Sequence, residues 1–176
     1  MLFRSTAVSK AKAIELAAHR VDRLVTLKKI DATFTTKMEK LEVTVAENQA
    51  PVHYKVRVSQ TKPVKGNPLQ VDLSFDINGK PLAFQVIAGG VAGADMGWSG
   101  KSAGELIESA LHYVLENATA GKVSLFDKDA ASLTLSKASH KEKTVARAEV
   151  LSSSTTEKLN IKVSLDGAFI SAEVVP

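Results

Sequence analysis

The chain of 176 residues contains no cysteine. This excludes disulfides, zinc–thiolate centres and a cysteine nucleophile, and it leaves the redox compartment open. No apolar run approaches the roughly 18 residues that a membrane-crossing helix requires, and the N-terminus lacks the apolar core of a secretory signal. No acidic residue precedes Glu15, while Arg4, Ser5, Thr6, Ser9, Lys10 and Lys12 fall within residues 1–13. That composition resembles an organelle-targeting presequence. The basic first turns of an ordinary helix would have the same composition. The expectation is a soluble cytoplasmic protein without a membrane span, with mitochondrial-type targeting as the alternative.

Aromatic residues are scarce at 5%, with a single Trp. The hydrophobic fraction of 44% is nevertheless ample for a core, and 24% charged residues is ordinary for a folded domain.

The chain repeats itself. Residues 14–21 (IELAAHRV) and 107–114 (IESALHYV) share five of eight positions at an offset of 93. Residues 71–79 (VDLSFDING) align with 159–167 (LNIKVSLDG) at an offset of 88, without gaps through Val86 and Val174. Most of the difference lies in one connection, which has 12 residues after Val58 and 8 after Val150. Loops absorb such insertions more readily than strands do.

The pattern within each half is helix, then strands. Ile14, Ala17, Ala18, Val21, Leu24 and Val25 recur at helical spacing and predict a helix over about residues 6–30. The period then becomes two, with Leu41, Val43 and Val45, then Tyr54, Val56 and Val58, then Val71, Leu73, Phe75 and Ile77 alternating with polar residues. A fourth strand is predicted over 82–87, after a two-residue Asn78-Gly79 turn with both residues at positive φ. The second half predicts a helix over 102–118 and strands near 123–136, 142–151, 157–165 and 168–175, with a turn at Asp166-Gly167. Clean alternation implies antiparallel strands with one dry face, which the helix stripe would cover. The predicted class is α+β. Two tandem homologous units (1–88 and 102–176), each a helix packed on a four-stranded antiparallel meander, flank a glycine-rich linker (89–101). Such a unit is similar in topology to the cystatin-type fold. Counted from its first strand, it also resembles the four-strands-then-helix repeats of some single-strand nucleic-acid binders. No residue motif carries either likeness.

Four sets of residues are candidates for chemistry. The duplicated Glu15/His19 and Glu108/His112 pairs could offer carboxylate and imidazole ligands to a metal between the helices. The alternative is a pair of surface i,i+4 contacts inherited by duplication. The linker and its flanks hold six of the ten glycines (Gly89, Gly90, Gly93, Gly97, Gly100, Gly104). Gly100-Lys101-Ser102 resembles the end of a phosphate-binding loop, but Asp95 occupies the position that must be glycine, so no nucleotide is expected. Trp98 in the linker is a candidate partner contact. The basic first half has 14 Lys+Arg against 8 Asp+Glu over residues 1–90, and it could present Arg20, Arg23, Lys28, Lys29, Lys55 and Arg57 to phosphates. Tyr54 and Phe75 fall on the dry register, however, which leaves no base-stacking platform. No nucleophile-elbow or ordered triad pattern occurs.

The expected function is therefore non-catalytic, with no cofactor: binding or assembly with a protein partner, or with itself, through sheet edges or helices. The first alternative is single-stranded nucleic-acid binding by the first half. The second is a small-ligand or enzyme module with a pocket between helix and sheet.

Overall fold

The computed structural model describes residues 7–63, 65–87, 89 and 98–176. Its elements run α1 (Lys10–Thr26), α2 (Phe34–Lys37), β1 (Met38–Ala46), β2 (His53–Gln60), β3 (Gln70–Asp76), β4 (Pro81–Ile87), then α3 (Ala103–Glu116), α4 (Val123–Lys128), β5 (Ala130–His140), β6 (Lys143–Ser152), β7 (Lys158–Val163) and β8 (Phe169–Val175). All eight strands form one antiparallel sheet in the order β4-β3-β2-β1-β5-β6-β7-β8. The architecture is α+β, with the helices layered on one face.

The seam between the two halves of the sequence is a hydrogen-bonded strand pair. Leu41 stands opposite Leu133, flanked by Lys40–Thr134 and Glu42–Ser132. The halves therefore share one sheet. They also share one core, in which Ile14, Val21 and Leu73 from the first half join Leu106, Phe126 and Ile161 from the second. Each such side chain contributes about 1.5–3 kcal/mol when fully removed from water.

Local chemistry sets the helix limits. Before α1, Ser9 is the N-cap and its hydroxyl accepts from Lys12 N. Residues 7–9 are extended rather than helical: Val8 N donates to the Ile77 carbonyl, and the Val8 carbonyl accepts from the Tyr54 hydroxyl. At the other end, Lys28 N donates to Val25 O and Lys29 N to Leu24 O, a Schellman closure with Lys28 at φ 59°. The predicted helix over 6–30 is thus shortened at both ends. Its C-terminal stop was hidden because the left-handed residue is lysine and not glycine. For α3, Ser102 and Glu105 form a reciprocal capping box.

Two short helices were not predicted. α2 contains two β-branched threonines, which disfavour helix. Phe34 anchors it in the core, and Asp31 accepts from the Thr33 amide and hydroxyl just before it. α4 replaces the first part of the strand predicted over 123–136, and β5 starts only at Ala130. Phe126, fully buried, holds α4 down, and the Asp127-Lys-Asp129 interruption coincides with its end.

The β3–β4 turn also differs from expectation. Asp76 and Lys80 close it and only Gly79 has positive φ, so it is one residue longer than a two-residue hairpin. The tight two-residue hairpin occurs instead between β5 and β6, where Lys141 (φ 49°) and Glu142 (φ 65°) are both left-handed.

Candidate functional site

α1 and α3 pack antiparallel, and polar groups line their seam. Asp22 of α1 lies at the N-terminus of α3, where Ser102 Oγ donates to Asp22 Oδ2 at 2.9 Å. A Cβ on Gly104 would fall 2.6 Å from the same oxygen, so the close approach of the helices depends on glycine there. Burial raises the Asp22 carboxyl above the usual aspartate range, partly opposed by the Ser102 hydrogen bond. One turn away, His19 Nδ1 meets Glu108 Oε1 at 3.1 Å. Burial raises the Glu108 carboxyl too; His19 opposes the shift, and the neighbouring Asp22 and Glu15 add to it.

The two predicted Glu/His pairs are thus only partly brought together. His19 crosses to Glu108, but Glu15 pairs with Lys12 and His112 with Glu116. Among the described residues no group of three or more His, Asp or Glu could hold a metal ion. The seam is lined by partly buried acids and one largely exposed imidazole.

The open face of the sheet carries the second polar centre. Asp72, its side chain only 5% exposed, accepts from Arg57 Nε at 2.8 Å and Nη2 at 2.9 Å, with Lys55 Nζ at 3.5 Å. These bonds hold its carboxyl below the usual aspartate range, the Arg57 hydrogen bonds being the main cause. The pairing follows from register, since Arg57 on β2 stands opposite Asp72 on β3.

The six predicted phosphate-binding cations therefore do not share a surface. Lys55 and Arg57 lie on the open face, already engaged by Asp72. Arg20 and Arg23 lie on α1, and Lys28 and Lys29 just beyond it, on the helical layer. Tyr54 and Phe75 are buried on the dry register, as their alternation implied.

The linker candidates separate as well. Trp98 is buried in the main core, with Lys137 Nζ 5.8 Å from its ring centroid. Lys101 reaches Glu105 at 3.3 Å, and the Ser102 hydroxyl is committed to Asp22 and the helix cap. Asp95, Gly90, Gly93 and Gly97 lie outside the described residues, as do Arg4, Ser5 and Thr6 of the targeting-like segment. Lys10 and Lys12 belong to the first turns of α1, whose Ala11 and Ala13 are fully buried. No helix among the described residues is long and apolar enough to cross a membrane.

The feature that alternation alone could not reveal is the exposed apolar edge. Every residue of β4 is exposed except the half-buried Ile87, and Leu82, Phe84 and Val86 present large apolar side chains at alternate positions. The opposite edge, β8, carries Glu173, and its Phe169 stacks on Tyr113 of α3 with ring centroids 4.9 Å apart. Comparison with known proteins finds no matching family model, no matching curated protein and no matching solved structure.

Proposed function

We propose that this is a non-catalytic assembly protein, built from two homologous helix-plus-four-strand units, that associates through its edge strand β4 with β4 of a second copy. The observation that carries the reading is the composition of that edge. Past the proline and the register shift at its start, Leu82-Ala-Phe-Gln-Val-Ile87 contains no charge, and charge is one of the devices that keep an edge strand single. Antiparallel pairing about Phe84 sets Phe84 against Phe84 and Leu82 against Val86, so the strand is complementary to itself.

The duplication is supported by the offsets between like residues. Leu41 and Leu133, 92 residues apart, face each other at the middle of the sheet. Phe34 and Phe126 anchor the two short helices at the same offset of 92. Ala17 and Ala110, 93 apart and both fully buried, fall midway along the antiparallel seam, between the Asp22–Gly104 and Glu15–His112 ends. A chain made from two such units already uses antiparallel edge pairing once, at β1·β5, and β4·β4 pairing repeats that joint between molecules. The cations split between two layers argue against single-stranded nucleic acid as the partner.

Sedimentation of the wild type and of Phe84→Lys/Val86→Lys tests this. The expected result is a wild-type species at twice 18.8 kDa that becomes monomeric in the variant with an unchanged circular dichroism spectrum. A wild type that stays monomeric at about 100 μM, well above a micromolar Kd, or a dimer that survives the substitutions, rejects the β4 interface.

A further inference from the structure

The structure holds an open cleft at the hairpin end of β5 and β6, remote from β4. We propose that it binds a small amphiphilic monocarboxylate, a single carboxylate on a short apolar body. The cleft has a volume of about 610 Å³, within the range of small-ligand sites. Its walls are the β5–β6 hairpin, the β7–β8 turn and the segment leading into α3.

The floor is apolar. Val145 is 3% exposed yet stands apart from the main core, the only buried hydrophobic among the described residues to do so. Leu165 and Ile170 join it in lining the cleft. Gly100, at φ 110°, lies flush against the Leu165 backbone: an added Cβ would be 2.8 Å from Leu165 O. The wall there is therefore backbone, without a side chain to fill the space.

The rim is cationic on one side. Lys141 and Lys143 both line the cleft, and neither makes an ion pair among the described residues. The turn that carries Lys141 is strained, because Lys141 and Glu142 both hold left-handed backbone without glycine or asparagine. Across the cleft, Asp166 accepts a hydrogen bond from the Ser164 hydroxyl. A second negative charge on the ligand would meet Asp166, which favours a monoanion over a phosphate ester. One carboxylate placed toward Lys141 and Lys143, with its apolar body over Val145, leaves no unpaired charge against the floor.

Titration of sodium octanoate into the isotope-labelled full chain, followed by amide chemical shifts, tests the site. Saturable shifts confined to residues 99–100, 140–145 and 164–170 are expected, with a Kd of about 1 mM or tighter. Octanol has a like tail without the charge, and inorganic phosphate has charge without the tail. Each should bind about tenfold more weakly or worse. Lys141→Gln/Lys143→Gln should weaken octanoate by about tenfold with the spectrum otherwise preserved. Shifts that do not saturate, that fall elsewhere, or that octanol reproduces at equal concentration would overturn the proposal. If the double variant loses its native spectrum, the octanoate–octanol comparison on the wild-type chain still decides.

Discussion

Gly104→Ala should destabilise this protein, although the same change in an exposed helix stabilises by about 1 kcal/mol. The reason is the helix seam. The new methyl would lie 2.6 Å from Asp22 Oδ2 and 2.9 Å from Cγ and Oδ1, well inside van der Waals contact. Asp22 cannot swing aside freely, since its Oδ2 accepts from Ser102 and the carboxylate is partly buried. The helices must separate or the carboxylate must give up its bond, and overpacking of this kind costs about 1–3 kcal/mol. After subtraction of the propensity gain, the expected net loss is up to about 2 kcal/mol, or up to roughly 8 °C in Tm for a chain of this size. In an Asp22→Ala background the obstruction is gone, and Gly104→Ala should stabilise by up to about 1 kcal/mol. The sign reversal gives a coupling of about 2 kcal/mol in a double-mutant cycle. Urea unfolding of the four proteins, with unchanged m values, measures it. Gly104→Ala that stabilises the wild type, or that has the same effect in both backgrounds, would refute the packing argument.

The Arg57–Asp72 pair predicts a pH dependence. Because the folded protein lowers the Asp72 pKa, its contribution is complete above the ordinary aspartate range and disappears as pH falls through the lowered value. Wild type should exceed Asp72→Asn by about 1–2 kcal/mol at neutral pH, the exposed Arg57 limiting the figure, and the two denaturation curves should converge in acid. Lys28→Gly should raise stability by about 1 kcal/mol, since Lys28 occupies the left-handed position of the Schellman closure; a thermal melt at or below the wild-type value would contradict that geometry. Tyr54→Phe removes the hydroxyl bonded to the Val8 carbonyl at 2.7 Å. It should cost about 1 kcal/mol, and the Val8 amide, which donates to Ile77, should exchange faster with solvent.

Much of this architecture was legible in the periodicity. The apolar stripe of α1, the alternation of β1 to β3 and the turn at Asp166-Gly167 are local patterns, and local patterns survive translation into structure. The short helices were not legible, because a turn of Phe-Thr-Thr-Lys is too short to display a period and is held by burial of Phe34. The candidate sites fared unevenly. The recurrence of Glu and His at like positions on both helices was visible, but only the antiparallel packing of α1 on α3 brings His19 to Glu108.

By itself, then, the amino-acid order determined the two long helices and most of each strand, which face of each strand is apolar, and where the net positive charge resides along the chain. Tertiary structure alone decided what neighbours what. The order could not specify that β1 would pair with β5 and join the strands into one sheet, because any exposed edge offers the same backbone groups. Nor could it distinguish Leu73 from Phe84, which stand opposite each other on neighbouring strands in the same apolar register. Eight strands about 4.8 Å apart span roughly 34 Å, whereas two helices each about 10 Å wide cover little more than half of that. Leu73 lies under the cover and is buried, and Phe84 lies beyond it and is exposed.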